Sequence, residues 1–172
     1  IIKELGFSLK SIYIGGGTPT TLTQSQMAKL LDSVRSVFPM DRCIEFTVEG
    51  GRPDTLNAQK LQTIRDHGAD RMSINPQSMC DGVLKASGRS HSAQAVLERY
   101  REAVDAGFDA INMDLIAGLP YEDYESFGRS FNDVYHLQPE QLQLGFLKVL
   151  KGSMIHKRQH EFEIVYHDMA PY

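Results

Sequence analysis

Tryptophan is absent from this chain, and cysteine is scarce, with two in 172 residues. Cys43 and Cys80 lie far apart and neither belongs to a Cys-x-x-Cys pair, so neither a disulfide framework nor a cysteine-based metal site organises the fold. No apolar run approaches the roughly 18 residues of a membrane span. Basic residues are not in excess: 18 Lys+Arg stand against 22 Asp+Glu, a net charge of -4, which argues against a general nucleic-acid binder. There is no low-complexity tract, Pro-rich linker, obvious repeat or signal-peptide pattern. Sparse cysteine makes a cytoplasmic setting the expectation.

What is present suits one domain with a real core: 41% of the residues are hydrophobic and 23% are charged. Five short apolar runs alternate with helical patterns. Ser11-Ile12-Tyr13-Ile14, Ile44-Glu45-Phe46-Thr47-Val48, Arg71-Met72-Ser73-Ile74, Ala110 to Ile116 and Leu142 to Val149 read as strands. The stripe Met27, Leu30, Leu31, Val34 and Phe38 reads as a helix, with a Thr23/Gln26 capping box before it and Pro39 after it. Asn57 caps a second helix carrying Leu61 and Ile64 and closed by Gly68. Leu97, Tyr100 and Val104 mark a third, ending at Gly107. Tyr124, Phe127, Phe131 and Val134 mark a fourth. Strands separated by helices run parallel with right-handed crossovers, and such a sheet is either doubly wound or curled into a barrel. Residues 1–150 are expected to form this core, with 151–172 departing as the start of a C-terminal extension. The chain starts at Ile1 and stops at Met169-Ala170-Pro171-Tyr172, and the expectation is that it is a piece of a longer protein.

Sites in parallel α/β folds sit at the carboxyl ends of the strands. The first strand delivers Gly15-Gly16-Gly17-Thr18-Pro19-Thr20, either a plain turn or a loop whose backbone a ligand can approach. It is neither Gly-x-Gly-x-x-Gly nor a P-loop. The second delivers Glu49, which can hold a ribose hydroxyl or an amine, or stand as an ordinary surface acid. The third delivers Gln77, a donor and acceptor or a turn residue near Pro76. The fourth delivers Asp114, embedded among apolar residues and alternating away from Met113 and Leu115 toward a barrel lumen. A carboxylate there is costly unless paired, so a hydroxyl, an amine or ordered water is expected beside it. Arg89 suits a carboxylate or phosphate, or is a solvated surface residue. His91 reads as a capping or surface histidine, and Cys80 as a small loop or core residue.

Together these residues resemble the radical SAM superfamily. Tyr13 to Thr20 resembles the glycine motif that binds the amino group of S-adenosylmethionine. Thr47-Val48-Glu49-Gly50-Gly51-Arg52-Pro53-Asp54, Ser73 to Met79, Gly88-Arg89-Ser90-His91 and Asn112 to Pro120 are similar to the oxygen-independent coproporphyrinogen III oxidase branch, especially its coproporphyrinogen dehydrogenase-like members. The last third, Asp114 to Tyr124 and Leu142 to Gly152, resembles radical SAM proteins with a cobalamin-type domain.

The resemblance implies a partial (β/α)6 TIM-like barrel of which this chain supplies strands two to six, missing the first strand and the cluster loop. It implies S-adenosylmethionine and a [4Fe–4S] cluster as cofactors, although the family's Cys-x3-Cys-x2-Cys does not occur in this chain. The chain itself therefore holds no metal and is expected to be inactive alone. In the intact protein a 5′-deoxyadenosyl radical abstracts hydrogen, and a propionate becomes a vinyl group with loss of carbon dioxide and an electron. By position, Gly16, Gly17 and Thr18 hold the methionyl end, Glu49 lies near it, Gln77 and Asp114 contact the ribose and its surroundings, and Arg89 reaches the methionine carboxylate. The implied partners are a porphyrinogen-like small molecule and an electron donor. The alternatives are a cobalamin-dependent methyltransferase-like enzyme and a cluster-less protein that binds S-adenosylmethionine or a heme-like ligand.

Overall fold

A computed structural model describes residues 8–158 and 160–161. Five strands, β1 (Ser11–Ile14), β2 (Glu45–Glu49), β3 (Arg71–Ser73), β4 (Ala110–Ala117) and β5 (Gln141–Phe146), form one sheet in sequential order. Every neighbouring pair is parallel. A doubly wound sheet reverses its strand order at a switch point; an unbroken 1-2-3-4-5 order has none and is that of a barrel wall. Helices α1 (Gln24–Val37), α2 (Ala58–Asp66), α3 (Asp81–Ala86), α4 (Ala93–Asp105) and α5 (Tyr124–Leu137) connect the strands, and a short α6 (Met154–Lys157) follows β5.

Local sequence explains the elements. Thr23 and Gln26 form the capping box of α1, and Asn57 accepts from the Lys60 amide to start α2. Gly68 and Gly107 take positive φ where α2 and α4 end. The outer face of the sheet (Phe46, Val48, Met72, Ile74, Ile111, Met113 and Leu115) packs against Met27, Leu31, Leu61, Ile64, Val96 and Val134 of the helices. Each such buried side chain contributes roughly 1.5–3 kcal/mol.

The other face is polar. Period two puts Tyr13, Glu45, Thr47, Glu49, Arg71, Ser73, Asn112, Asp114 and Gln141 on the inside of the wall. At its foot Arg71 donates to Asn112 Oδ1 at 2.8 Å, to Glu45 Oε2 at 3.2 Å and to the Gln141 amide oxygen. These residues, with Tyr13 and Thr47, line a cavity of about 250 Å³.

Several expectations are corrected. Ile44 precedes β2 and is 78% exposed, whereas Thr47 is buried with Phe46 and Val48, because both faces of β2 are covered. Val104 is 51% exposed, since α4 turns Val96, Tyr100 and Ala103 inward instead. Tyr124, the first residue of α5, is also exposed, and the small Ser126 and Ser130 are buried instead, Ser130 against the loop after β3. The fifth strand ends at Phe146, short of Val149. Beyond residue 150, α6 is described, and Tyr121 Oη donates to the Glu161 carbonyl at 2.7 Å. The rest of the expected extension, residue 159 and residues 162–172, lies outside the described residues.

Truncating Phe46 and Ile44 to Ala separates the two readings of β2. Phe46→Ala is expected to lower stability by about 3–5 kcal/mol, and Ile44→Ala by no more than about 0.5 kcal/mol, in chemical denaturation. Equal losses would mean that Ile44 packs in the core.

Candidate functional site

The carboxyl ends of the strands converge on one mouth. The loop after β1 crosses it first. Gly15 is squeezed: an added Cβ would strike the Tyr13 ring and come within 2.7 Å of Glu49 Oε2. Gly16 has φ +120, a conformation that side chains rarely adopt, and its N–H donates to Glu49 Oε2 at 3.2 Å. Beside Gly16 and Gly17 the space is open, with nothing within 4 Å of an added Cβ. The Thr18 hydroxyl donates to the Gly17 carbonyl at 2.6 Å, and the Thr18 carbonyl accepts from the Thr21 amide at 3.0 Å.

This loop is braced from behind. Buried Thr20 donates to the Gly50 carbonyl at 2.8 Å and lies 2.5 Å from the Thr55 hydroxyl. Lys60, at the start of α2, donates to the carbonyls of Thr20 at 2.6 Å and Thr55 at 2.8 Å. Burial lowers its pKa. The glycine loop and the loop after β2 are thus one braced unit.

On the opposite side, Gln77 extends the ladder beyond β3. Its N–H donates to the Asp114 carbonyl at 2.9 Å and its carbonyl accepts from the Ile116 amide at 2.9 Å. It does so at φ 69, which costs a non-glycine residue about 1–2 kcal/mol. Its side-chain oxygen accepts from Arg89 Nη2 at 3.2 Å. Burial first, and then the nearby Arg52 charge, lower the Arg89 pKa, with Asp54 opposing.

The structure therefore gathers Gly16, Gly17, Thr18, Glu49, Gln77, Arg89 and Asp114 at one end of the sheet. Asp114 meets its expected environment only in part. It faces the lumen, but among the described residues its carboxylate has no hydrogen-bond partner. Burial and then the Glu49 charge raise its pKa. Tyr13 joins the site unexpectedly: burial, then Glu49, then Asp114 raise its pKa, so it stays a phenol beside two carboxylates. Its alternation with Ile12 and Ile14 was the available signal.

His91 is neither capping nor on the surface. It is buried, 6% exposed, with a ring nitrogen 3.1 Å from the Pro76 carbonyl. It supports the backbone of the Gln77 turn. Cys80 precedes α3 and is half-buried. Glu122, which sequence reasoning missed, is buried and accepts from the amides of Gly118 at 2.8 Å and Leu119 at 3.3 Å, fixing the loop after β4.

Among the described residues no three His, Cys, Asp or Glu side chains are grouped to hold a metal. Cys43 precedes β2 and Cys80 follows β3, so the parallel sheet sets the two thiols at opposite ends. No helix among the described residues is long and apolar enough to cross a membrane.

The radical SAM superfamily model matches residues 1–134, and the chain belongs to that superfamily. It is 38% identical over 164 residues to the oxygen-independent coproporphyrinogen-III oxidase-like protein HemZ of Bacillus subtilis, covering 95% of this chain and 33% of that protein. It is 38% identical over 133 residues to the heme chaperone HemW of the same organism, covering 77% of this chain and 35% of HemW. Among solved structures, coproporphyrinogen III oxidase (HemN) from Escherichia coli superimposes with a TM-score of 0.80 at 27% identity, covering 92% of this chain and 36% of that one. The chain spans about a third of the length of these relatives.

Asp114 gives a pH-dependent prediction. A raised carboxyl pKa means that the folded state holds the proton more tightly than the unfolded chain, so this group's contribution to stability falls as pH rises through the carboxylate range. Asp114→Asn is expected to be more stable than the native protein near neutral pH, with the difference closing in acid. Denaturant titrations across that range test it, and a loss of stability at neutral pH would show that the carboxylate is held by favourable contacts.

Proposed function

We propose that the mouth binds S-adenosylmethionine, and that the intact protein is a radical SAM protein acting on a tetrapyrrole of the coproporphyrinogen class. In this reading residues 1–150 belong to the radical SAM core and 151–172 begin a C-terminal extension. The observation that carries it is the chemistry gathered at the strand ends. Open space beside Gly16 and Gly17, a desolvated carboxylate without a partner among the described residues at Asp114, and a half-buried guanidinium with one acceptor at Arg89 suit a ligand with an amine, hydroxyls and a carboxylate.

Each residue then has a task. The glycine backbone and Glu49 hold the methionyl amine, and Arg89 forks the methionine carboxylate. Gln77 fixes the Arg89 guanidinium through its side chain and, through its backbone, sets Asp114 toward the ribose. S-adenosylmethionine, with a [4Fe–4S] cluster held outside the described residues, would supply the hydrogen-abstracting chemistry of the family. The cluster does not fit the described thiols, so this chain's part is binding and orientation.

The proposed substrate reaction is oxidative decarboxylation. A propionate would lose a hydrogen atom to the cofactor-derived radical, an electron to an external one-electron acceptor, and carbon dioxide, and so become a vinyl group; a separate electron donor is the other partner. A second reading has one specific support, the similarity to a protein named as a heme chaperone. In that case the tetrapyrrole is cargo.

Two measurements test these proposals in the full-length protein. Anaerobic incubation with S-adenosylmethionine and coproporphyrinogen III is expected to yield vinyl products by chromatography; heme binding without turnover favours the carrier. By calorimetry, Arg89→Gln and Asp114→Asn are each expected to weaken S-adenosylmethionine binding by about 1–3 kcal/mol. Gly17→Ala should weaken it without shifting the thermal midpoint, because the added methyl meets only open space. Unchanged affinity in all three variants would refute the assignment of this mouth.

A further inference from the structure

Two loops meet at the rim of the mouth, and each carries an arginine next to the contact. The Ser90 hydroxyl donates to Asp54 Oδ2 at 2.6 Å, stapling the loop after β2 to the loop after α3. Arg52 lies two residues before Asp54, and Arg89 one before Ser90. The Arg52 backbone is fixed: its N–H donates to the Gly50 carbonyl at 2.6 Å, and its carbonyl accepts from the Thr55 amide at 3.1 Å and hydroxyl at 2.8 Å. Gly51, before it, stands against Thr18, so an added Cβ there would lie 3.5 Å from the Thr18 methyl. Arg52 is therefore carried on a loop that packs on one side against the glycine loop and is joined on the other to the loop bearing Arg89, and its side chain is exposed.

The two cations are poorly balanced. Arg89 donates to Gln77, and among the described residues neither guanidinium has a carboxylate within ion-pair distance. Asp54, the nearby acid, is held by Ser90. Burial lowers the Arg89 pKa most; the Arg52 charge lowers it further and the Asp54 charge opposes this. Yet the chain as a whole is acidic, with a net charge of -4. Asp54 offsets part of the two positive charges without forming an ion pair with either guanidinium, so an arriving anion can still pair directly with each. S-adenosylmethionine brings one carboxylate, and half-buried Arg89 suits it. Arg52, the more exposed of the two, is not needed for that carboxylate.

We propose that Arg52 is a substrate-recognition residue that takes a carboxylate of the tetrapyrrole, beside the cofactor carboxylate held by Arg89. This rests on the tetrapyrrole reading above. A ligand carrying several propionates fits such a rim, because one propionate can be anchored while the ring reaches over the mouth.

The test uses the full-length protein, with coproporphyrin III and its tetraamide as probes in absorbance titrations and S-adenosylmethionine in calorimetry. Arg52→Gln is expected to weaken coproporphyrin III about tenfold, the scale of one charge-assisted hydrogen bond, and to leave the tetraamide and S-adenosylmethionine unchanged. Arg52→Lys keeps the charge and should recover part of the loss. Equal coproporphyrin binding by Arg52→Gln and native protein overturns the proposal and leaves the tetrapyrrole reading intact. Weakened S-adenosylmethionine binding, matching that of Arg89→Gln, also overturns it, by assigning both arginines to the cofactor. If the native protein binds no tetrapyrrole, the broader reading fails and this inference falls with it.

Discussion

One guanidinium at the foot of the lumen makes the polar face of the wall tolerable. Parallel strands with helices outside must turn every second residue inward, and here that puts Glu45, Glu49 and Asp114 on one surface. Such a face repels itself unless a cation sits within it. Arg71, from β3, reaches Glu45 on β2, Asn112 on β4 and Gln141 on β5. The planar fork suits this, since its donors leave in different directions and serve several strands together. The foot is therefore both neutralised and hydrogen-bonded, as a partly buried polar network must be.

The mouth is built on the opposite rule. Asp114 lies one lumen step above Asn112, beyond Arg71, and among the described residues no cation forms an ion pair with it. Burial and Glu49 push its carboxyl toward the neutral form. Tyr13 stands beside both acids as a phenol, and Gln77 holds an unfavourable backbone conformation beside them. Local rules are thus satisfied in the lower layer and broken in the upper one. Such breaches gathered at the strand ends are what a ligand site imposes on a fold.

Much of this was legible in the sequence because it was encoded locally. The capping box at Thr23, the cap at Asn57 and the turns at Gly68 and Gly107 each act over a few residues, and period two identified Asp114 as a lumen residue. The failures have a common cause. Val104, Tyr124 and Ile44 are apolar residues whose exposure is decided by how an element rolls against its neighbours. Ser126 and Ser130 are buried because α5 comes close to the loop after β3, where Ser130 receives the Met79 amide at 3.0 Å. His91 and Glu122 are inside because each meets a backbone group of a mouth loop. A polar residue buried to brace a distant loop leaves no periodic trace, so pattern reading assigns it to the surface.

Those braces explain how loops of glycine and turn residues can form a defined site. Glycine-rich segments lose much conformational entropy on ordering, and here few of their own side chains hold them. The fixing contacts come from behind and mostly meet backbone carbonyls or amides: Thr20 on Gly50, Lys60 on Thr20 and Thr55, His91 on Pro76, Glu122 on Gly118 and Leu119. Because the bracing side chains approach from the helix side, the lumen side of each loop stays clear, as the open space at Gly16 and Gly17 shows. The scaffold thus separates two requirements. Rigidity is supplied by residues that a ligand never meets, which leaves the ligand-facing positions free to differ in charge and size. Walls similar to this one occur in relatives named as an oxidase and as a heme chaperone, so the fold does not by itself decide what the mouth is used for.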